Sequence, residues 1–138
     1  MSEKVLIENC SPTMAGLKTG SLFSCEFKSR KELLENIRRL NVRLVPRGVR
    51  MVPVKFSGDR ALIYMYRPKK LSKDLCDSTA LSILSTKLYP TENAQNCVAE
   101  LVKRLNTQEE FPHEIGLFLG YPSKDVEGFI KNKAKGAK

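Results

Sequence analysis

Residues 111–130 (FPHEIGLFLGYPSKDVEGFI) constrain the fold of this chain most, because their glycine and apolar positions follow the spacing of a helix-turn-helix. Gly116 permits two helices to approach closely, and Gly120 is placed to end the first helix with a positive φ. We expect Ser123 to cap the second helix. The apolar positions expected to face the first helix are Val126, Phe129 and Ile130. The segment therefore predicts a helix-turn-helix-like pair.

This helix pair is open to two interpretations. In a DNA-binding version, the second helix lies in the major groove and its exposed side chains read base edges. Those side chains belong to Lys124, Asp125, Glu127 and Lys131, and two of the four are acids, which a polyanion repels. Helix pairs closed by a glycine also occur as packing units without a ligand. The sequence leaves both interpretations open.

The length of 138 residues is that of one ordinary domain, large enough to bury a core without metal or disulfide support. We predict a single α+β domain over residues 1–130 and a basic, disordered tail over 131–138. No apolar run approaches the roughly 20 residues of a membrane-spanning helix, and the start MSEKVLIENC does not have the pattern of a signal peptide. We therefore expect a cytoplasmic protein without a membrane span. The oligomeric state is left open.

Three strands are predicted. Residues 22–28 alternate apolar and polar side chains, and apolar runs at 49–56 and 61–67 are joined by the loop-like sequence SGDR. Pro53 has no backbone N–H, so the second strand is expected at a sheet edge or with a bulge there. Ser29 begins a capping box, and the helix that follows over 30–44 is expected to cover the sheet.

Further helices are predicted over 73–87 and 92–106, with Thr91 as the cap of the latter. The fold class is therefore α+β: a small antiparallel sheet of about three strands packed against helices, with a helical C-terminal half. Tyr64 and Tyr66 share one face of the third strand. They form either a stacking surface for single-stranded nucleic acid or part of the core.

Positive charge is concentrated in two segments. The net charge is +9, from 24 basic and 15 acidic residues. Residues 28–50 contribute +6 (8 basic minus 2 acidic), and the lysines of 131–138 contribute +4. Such clustering is typical of surfaces that bind nucleic acid, and it also occurs on solvated helix faces. The candidate binding residues are Arg38, Arg39, Arg43, Arg47, Arg50, Lys18, Lys124 and Lys131.

The four cysteines are too far apart in sequence to provide the close ligand pairs of a zinc site. We expect Cys25, Cys76 and Cys97 to be buried thiols. Cys10 precedes a predicted helix start, where the helix dipole favours a reactive thiolate. With His113, the only histidine, it forms the one candidate pair of nucleophile and base. His113 alone fits a ligand, a base or a capping group, and a capping or structural role is favoured. No metal site and no cofactor are predicted.

Several short blocks of this sequence resemble a known family. They are Cys10, Pro12, Thr13, Ala15, Gly16 and Lys18; Leu22, Phe23 and Ser24; Arg60, Ala61 and residues 64–67; and FPHEIGLFLGYP with Asp125, Val126, Gly128, Phe129 and Ile130. The family is bacterial, number thirty-seven ninety-three in the series of domains of unknown function, and has no assigned activity. The resemblance implies relatives that continue into a cysteine-rich stretch with a CxxC, whereas this sequence ends in KNKAKGAK. We expect any thiol or metal role of that stretch to be weaker here.

Three functional hypotheses follow. The first is a non-enzymatic module that binds an anionic partner, nucleic acid rather than acidic protein, through the arginines of 38–50 and the tail lysines. The second is a thiol- or metal-dependent protein that uses Cys10 and His113, with Lys18 as an anion contact. The third is a protein-interaction domain.

Overall fold

The structure, a computed structural model, describes residues 13–107 and 112–134. They form two compact units whose boundary lies between Lys69 and Lys70. None of the helices in these ranges is long and apolar enough to cross a bilayer.

The first unit contains a three-stranded antiparallel sheet made of β1 (Gly20–Glu26), β2 (Arg50–Ser57) and β3 (Arg60–Tyr66). The strand order is β1-β3-β2, so the central strand is the last one in sequence. The register of β2 shifts between Pro53 and Lys55, as expected for a proline in an edge strand. The three predicted strands and the position of the proline are confirmed.

Helix α1 (Arg30–Leu44) covers one face of this sheet. The hydroxyl of Ser29 accepts the N–H of Glu32 at 3.3 Å, which confirms the predicted cap. The side-chain amide of Asn41 donates to the carbonyl of Met51 at 2.9 Å and accepts its N–H at 2.8 Å, so it satisfies backbone groups at the edge of β2. The core between helix and sheet consists mainly of Leu33, Ile37, Phe23, Met51, Ile63 and Met65.

Tyr64 and Tyr66 lie on the other face of β3, and both are buried. Their rings are stacked, with centroids 4.7 Å apart and planes 6° from parallel. Of the two interpretations of this pair, the core position is therefore correct. A stacking surface for nucleobases requires exposed ring faces, which these residues do not offer.

The second unit is helical. Its elements are α2 (Pro68–Leu75), which begins just before the boundary, α3 (Ser78–Thr86), α4 (Ala94–Thr107), α5 (Ile115–Leu119) and α6 (Ser123–Ala134). The predicted helix over 73–87 is wrong, since two helices occupy the region. The carboxylate of Asp77 accepts the N–H groups of Thr79 and Ala80, each at 3.1 Å, and so begins a new helix. Cys76 lies in the break and is exposed, against the prediction, whereas Cys25 and Cys97 are buried as expected.

Helix α4 begins two residues later than predicted. Its first turn is capped by Asn93, whose side-chain oxygen accepts the N–H of Asn96 at 2.8 Å, and not by Thr91. Helices α5 and α6 form the predicted pair, and Gly120 ends α5 with φ of 89°. The hydroxyl of Ser123, the expected cap of α6, donates instead to the carboxylate of Asp77 at 2.6 Å.

Candidate functional site

Residues 36–50, which comprise the C-terminal half of α1, the turn after it and the first residue of β2, contain five arginines and no acid. All five side chains are exposed, and none forms an ion pair with a residue in the described part of the chain. We call this group the arginine surface; its members are Arg38, Arg39, Arg43, Arg47 and Arg50. Guanidinium groups free of acidic partners are available to bind phosphate or carboxylate groups.

The side chains of the arginine surface point in several directions. Successive helical residues are turned by about 100°, so Arg39 and Arg43 share one flank of α1 and Arg38 lies on another. Arg50 projects from the sheet face opposite α1, because its neighbour Met51 packs into the core beneath the helix. Burial raises the pKa of Tyr66, and the nearby charge of Arg50 opposes that effect. The five side chains thus surround the end of α1 instead of meeting on one flat face.

Apolar side chains lie among these arginines. Val42 and Val45 are 72% and 53% exposed, and Leu34 is also exposed. With Arg38 they follow spacings of four, four and three residues, which places them along one side of the helix. This side of α1 is therefore both basic and apolar.

The lysines predicted on the second helix of the pair are balanced by acids. Lys131 lies 3.8 Å from the carboxylate of Glu127. The pKa of Asp77 is lowered mainly by the Ser123 hydrogen bond and also by the charge of Lys124. Among the described side chains of α6, two lysines (Lys124 and Lys131) stand against two acids (Asp125 and Glu127), which weakens the interpretation of α6 as a DNA-reading helix.

Lys18 lies in the loop before β1, and its side chain is partly exposed. Arg67 contacts the start of this loop, and its guanidinium is already used in hydrogen bonds to backbone carbonyls. Its Nε donates to the carbonyl of Thr13 at 2.7 Å, and Nη2 donates to that of Met14 at 2.6 Å. Of these two cations, only Lys18 remains a candidate for anion binding.

His113 lies two residues before the start of α5. Its ring packs edge-on against Phe129, with centroids 5.3 Å apart and planes at 87°. Cys10 falls outside the described residues, so the proposed Cys10–His113 pair stays a prediction. Over 13–107 and 112–134, no group of three or more His, Cys, Asp or Glu side chains is placed to hold a metal ion.

The polar cluster that sequence reasoning missed surrounds Glu114, a buried carboxylate beside His113. It accepts the hydroxyl hydrogen of Tyr89 at 2.7 Å and lies 3.5 Å from the guanidinium of Arg104. Arg104 also lies over the Tyr89 ring, 4.1 Å from its centroid, and pairs with Glu100 at 2.9 Å. The four-residue spacing of Glu100 and Arg104 was the only sequence signal for this network. Its burial indicates a structural role.

Comparison with known proteins gives one match. A family described as a protein of unknown function (DUF3793) matches residues 6–138. No curated protein and no solved structure matches the chain.

Proposed function

Since this chain belongs to the DUF3793 family, whose function is unknown, we propose a function from its own surface: it is a non-enzymatic module that binds nucleic acid through the arginine surface. The observation that carries the proposal is the set of five exposed arginines over residues 36–50 without an acidic partner among the described residues. The planar fork of a guanidinium matches two phosphate oxygens, and several such contacts on one surface add up to useful affinity.

The same surface favours contacts with the phosphate backbone over the reading of bases. Tyr64 and Tyr66 are buried, so they supply no stacking platform. Among the described side chains of α6, positive and negative charges are equal in number, so they add little attraction to a major groove. Exposed arginines around the end of α1 suit contacts with phosphates on the outside of a duplex, and such contacts carry no sequence information. We therefore propose binding that depends on charge and not on sequence.

Fluorescence anisotropy with a short labelled DNA duplex, titrated at several salt concentrations between about 50 and 200 mM, tests the proposal. The logarithm of the association constant should fall linearly with the logarithm of salt concentration. In the variant R38Q/R39Q/R43Q, the slope should become less negative by up to about 2.7, because each lost phosphate contact accounts for about 0.9. The matched control K69Q/K73Q/K103Q removes three exposed lysines that are not members of the arginine surface and should keep the original slope. If the unaltered protein does not bind the duplex at low salt, the proposal is wrong.

A second candidate, binding of an acidic protein helix, is favoured by the exposed Val42 and Val45 beside Arg38. An amphipathic helix with glutamates and leucines complements both the charge and the apolar character of this side of α1. A synthetic peptide of that composition is the probe, and the variant Val42→Ser separates the two functions. The substitution should weaken binding of the peptide but change the affinity for the duplex less than twofold, because phosphate contacts do not use the valine.

A further inference from the structure

A second surface feature, unrelated to the arginines, lies within the helix pair α5–α6. It is a groove of about 380 Å³, a volume at the lower end of the range of small-molecule sites. Its floor is formed by aliphatic side chains that include Ile115, Leu119 and Val126. Gly116 permits the close packing beneath it, because a Cβ there would lie 3.0 Å from Val126 Cγ2. The groove therefore lies where two helices pack closely, and Pro112, His113 and Tyr121 line it from the segments beside those helices.

The walls of the groove are aromatic. The rings of His113, Tyr121 and Phe129 line it, and those of His113 and Phe129 hold each other in a T-shaped contact. Tyr121 and Phe129 are about half exposed, at 57% and 49%. Exposed aromatic rings lie beside the apolar floor, and a ligand that covers this surface removes apolar area from water, which favours binding.

One charged group lines the groove. The carboxylate of Asp125 is exposed and forms no ion pair within residues 13–107 and 112–134. The other acid of this turn, Glu127, is 3.8 Å from Lys131 and does not line the groove. An aromatic site with one unpaired carboxylate is complementary to an organic cation, since the faces of aromatic rings attract positive charge and the carboxylate neutralises it.

We propose that this groove binds a small organic ammonium ion, with the apolar body of the ligand on the aliphatic floor and the ammonium group against Asp125. The volume of the groove limits the size of the ligand, and the aliphatic floor favours a ligand with an apolar body. The carboxylate of Asp125 favours a positive charge on the ligand. The proposed site shares no residue with the arginine surface and lies in the most specific block of the sequence.

The test is an NMR titration with phenethylamine as the probe and phenethyl alcohol, its neutral analogue, as the comparison. Shifts of the His113 ring and of groove methyl groups should saturate with the amine, and the alcohol should bind at least about tenfold more weakly. Asp125→Asn should weaken amine binding about tenfold, and Phe129→Ala about threefold. The matched control Glu127→Gln, a charge removal on the same helix but outside the groove, should change the affinity less than twofold.

Several results would overturn the proposal. One is equal affinity for the amine and the alcohol, which would mean that the groove recognises only the apolar body. Another is an unchanged amine affinity in Asp125→Asn while circular dichroism shows the variant folded. Failure of the amine to shift any groove resonance at millimolar concentration would also refute it. The duplex titration tests other residues, so its outcome neither supports nor contradicts the proposed ammonium site.

Discussion

The guanidinium of Arg67, at the end of β3, donates from Nε to the carbonyl oxygen of Thr13 at 2.7 Å, a hydrogen bond that joins positions 54 residues apart. Nη1 reaches the carbonyl of Arg47 at 3.4 Å. The side chain passes close to Gly48, where an added Cβ would lie 3.5 Å from Nη1. One arginine thus ties together the loop before β1, the turn after α1 and the end of the central strand. Thr13 and Arg67 are among the residues that carry the family resemblance, and their role here is structural.

Replacement of Arg67 by lysine should destabilise the protein by about 2–3 kcal/mol, because an ammonium group cannot bond several carbonyl oxygens in the fixed geometry of a guanidinium. Denaturant unfolding followed by circular dichroism measures the change. Arg60→Lys is the matched control, since the contacts of Arg60 are exposed: it donates to the hydroxyl of Ser24 at 2.9 Å and pairs with Glu26 at 3.2 Å. Its cost should be below about 0.5 kcal/mol. Equal losses in the two variants would contradict the structural role of Arg67.

The Tyr89–Glu114 contact predicts a dependence of stability on alkaline pH. Burial, followed by the hydrogen bond to Glu114, raises the pKa of Tyr89 far above its ordinary value. Above about pH 10 the unfolded chain loses this proton and the folded protein retains it, so the unfolding free energy falls by about 1.4 kcal/mol per pH unit from this group. Tyr89→Phe should remove that contribution to the slope. The exposed Tyr121→Phe serves as the control and should leave the alkaline slope unchanged.

The backbone conformation of Leu88 indicates that a substitution there should stabilise the protein. It has φ of 66° in the turn that ends α3, where N–H groups of Leu88 and Tyr89 donate to the carbonyls of Ser85 and Leu84. This is the left-handed position of a helix C-terminus at which glycine is favoured. Because the leucine side chain is 83% exposed, little packing is lost on its removal. Leu88→Gly should therefore raise the unfolding free energy by about 1 kcal/mol, with a rise in Tm of about 2–6 °C.

A control for this effect is Leu88→Ala, which keeps a Cβ in the left-handed conformation. It should give less than half of the gain seen with glycine. A thermal melt in which alanine stabilises as much as glycine would show that the exposed side chain, and not the backbone conformation, is the cause.

Substitution of alanine for Gly116 and for Gly128, the glycines within the two helices of the pair, should change the unfolding free energy in opposite directions. A Cβ on Gly116 would lie 3.0 Å from Val126 Cγ2 and 3.1 Å from Tyr121 Cδ2, so Gly116→Ala should cost about 1–3 kcal/mol. A Cβ on Gly128, within α6, meets no atom within 4 Å. Gly128→Ala should stabilise the protein by about 0.5–1 kcal/mol through its higher helix propensity. Unfolding curves of both variants under the same conditions test the pair, and a tolerated Gly116→Ala would refute the close approach.

Local sequence patterns were sufficient for most of the secondary structure. The alternation in residues 22–28, the cap at Ser29 and the register shift beside Pro53 each depend on neighbours along the chain or on the chemistry of one residue. The α+β class and the helix-turn-helix-like pair follow from such patterns. The same reasoning missed the break at Asp77, because a strong cap inside an apolar stretch competes with continuation of the helix, and the pattern alone did not show which would prevail.

The candidate sites show more clearly what cannot be predicted from local sequence patterns. That residues 36–50 are basic and free of acids can be read from the printed residues, and the glycines and apolar positions of residues 111–130 predict a helix pair. The hydrogen bonds of Arg67 to distant carbonyls, the burial of Tyr64 and Tyr66 and the contacts of Glu114 with Tyr89 and Arg104 are seen only in the folded protein. These contacts join residues from different elements, so no local pattern predicts them. Composition and periodicity report which face of one element is apolar, but not which distant side chain completes a hydrogen bond there.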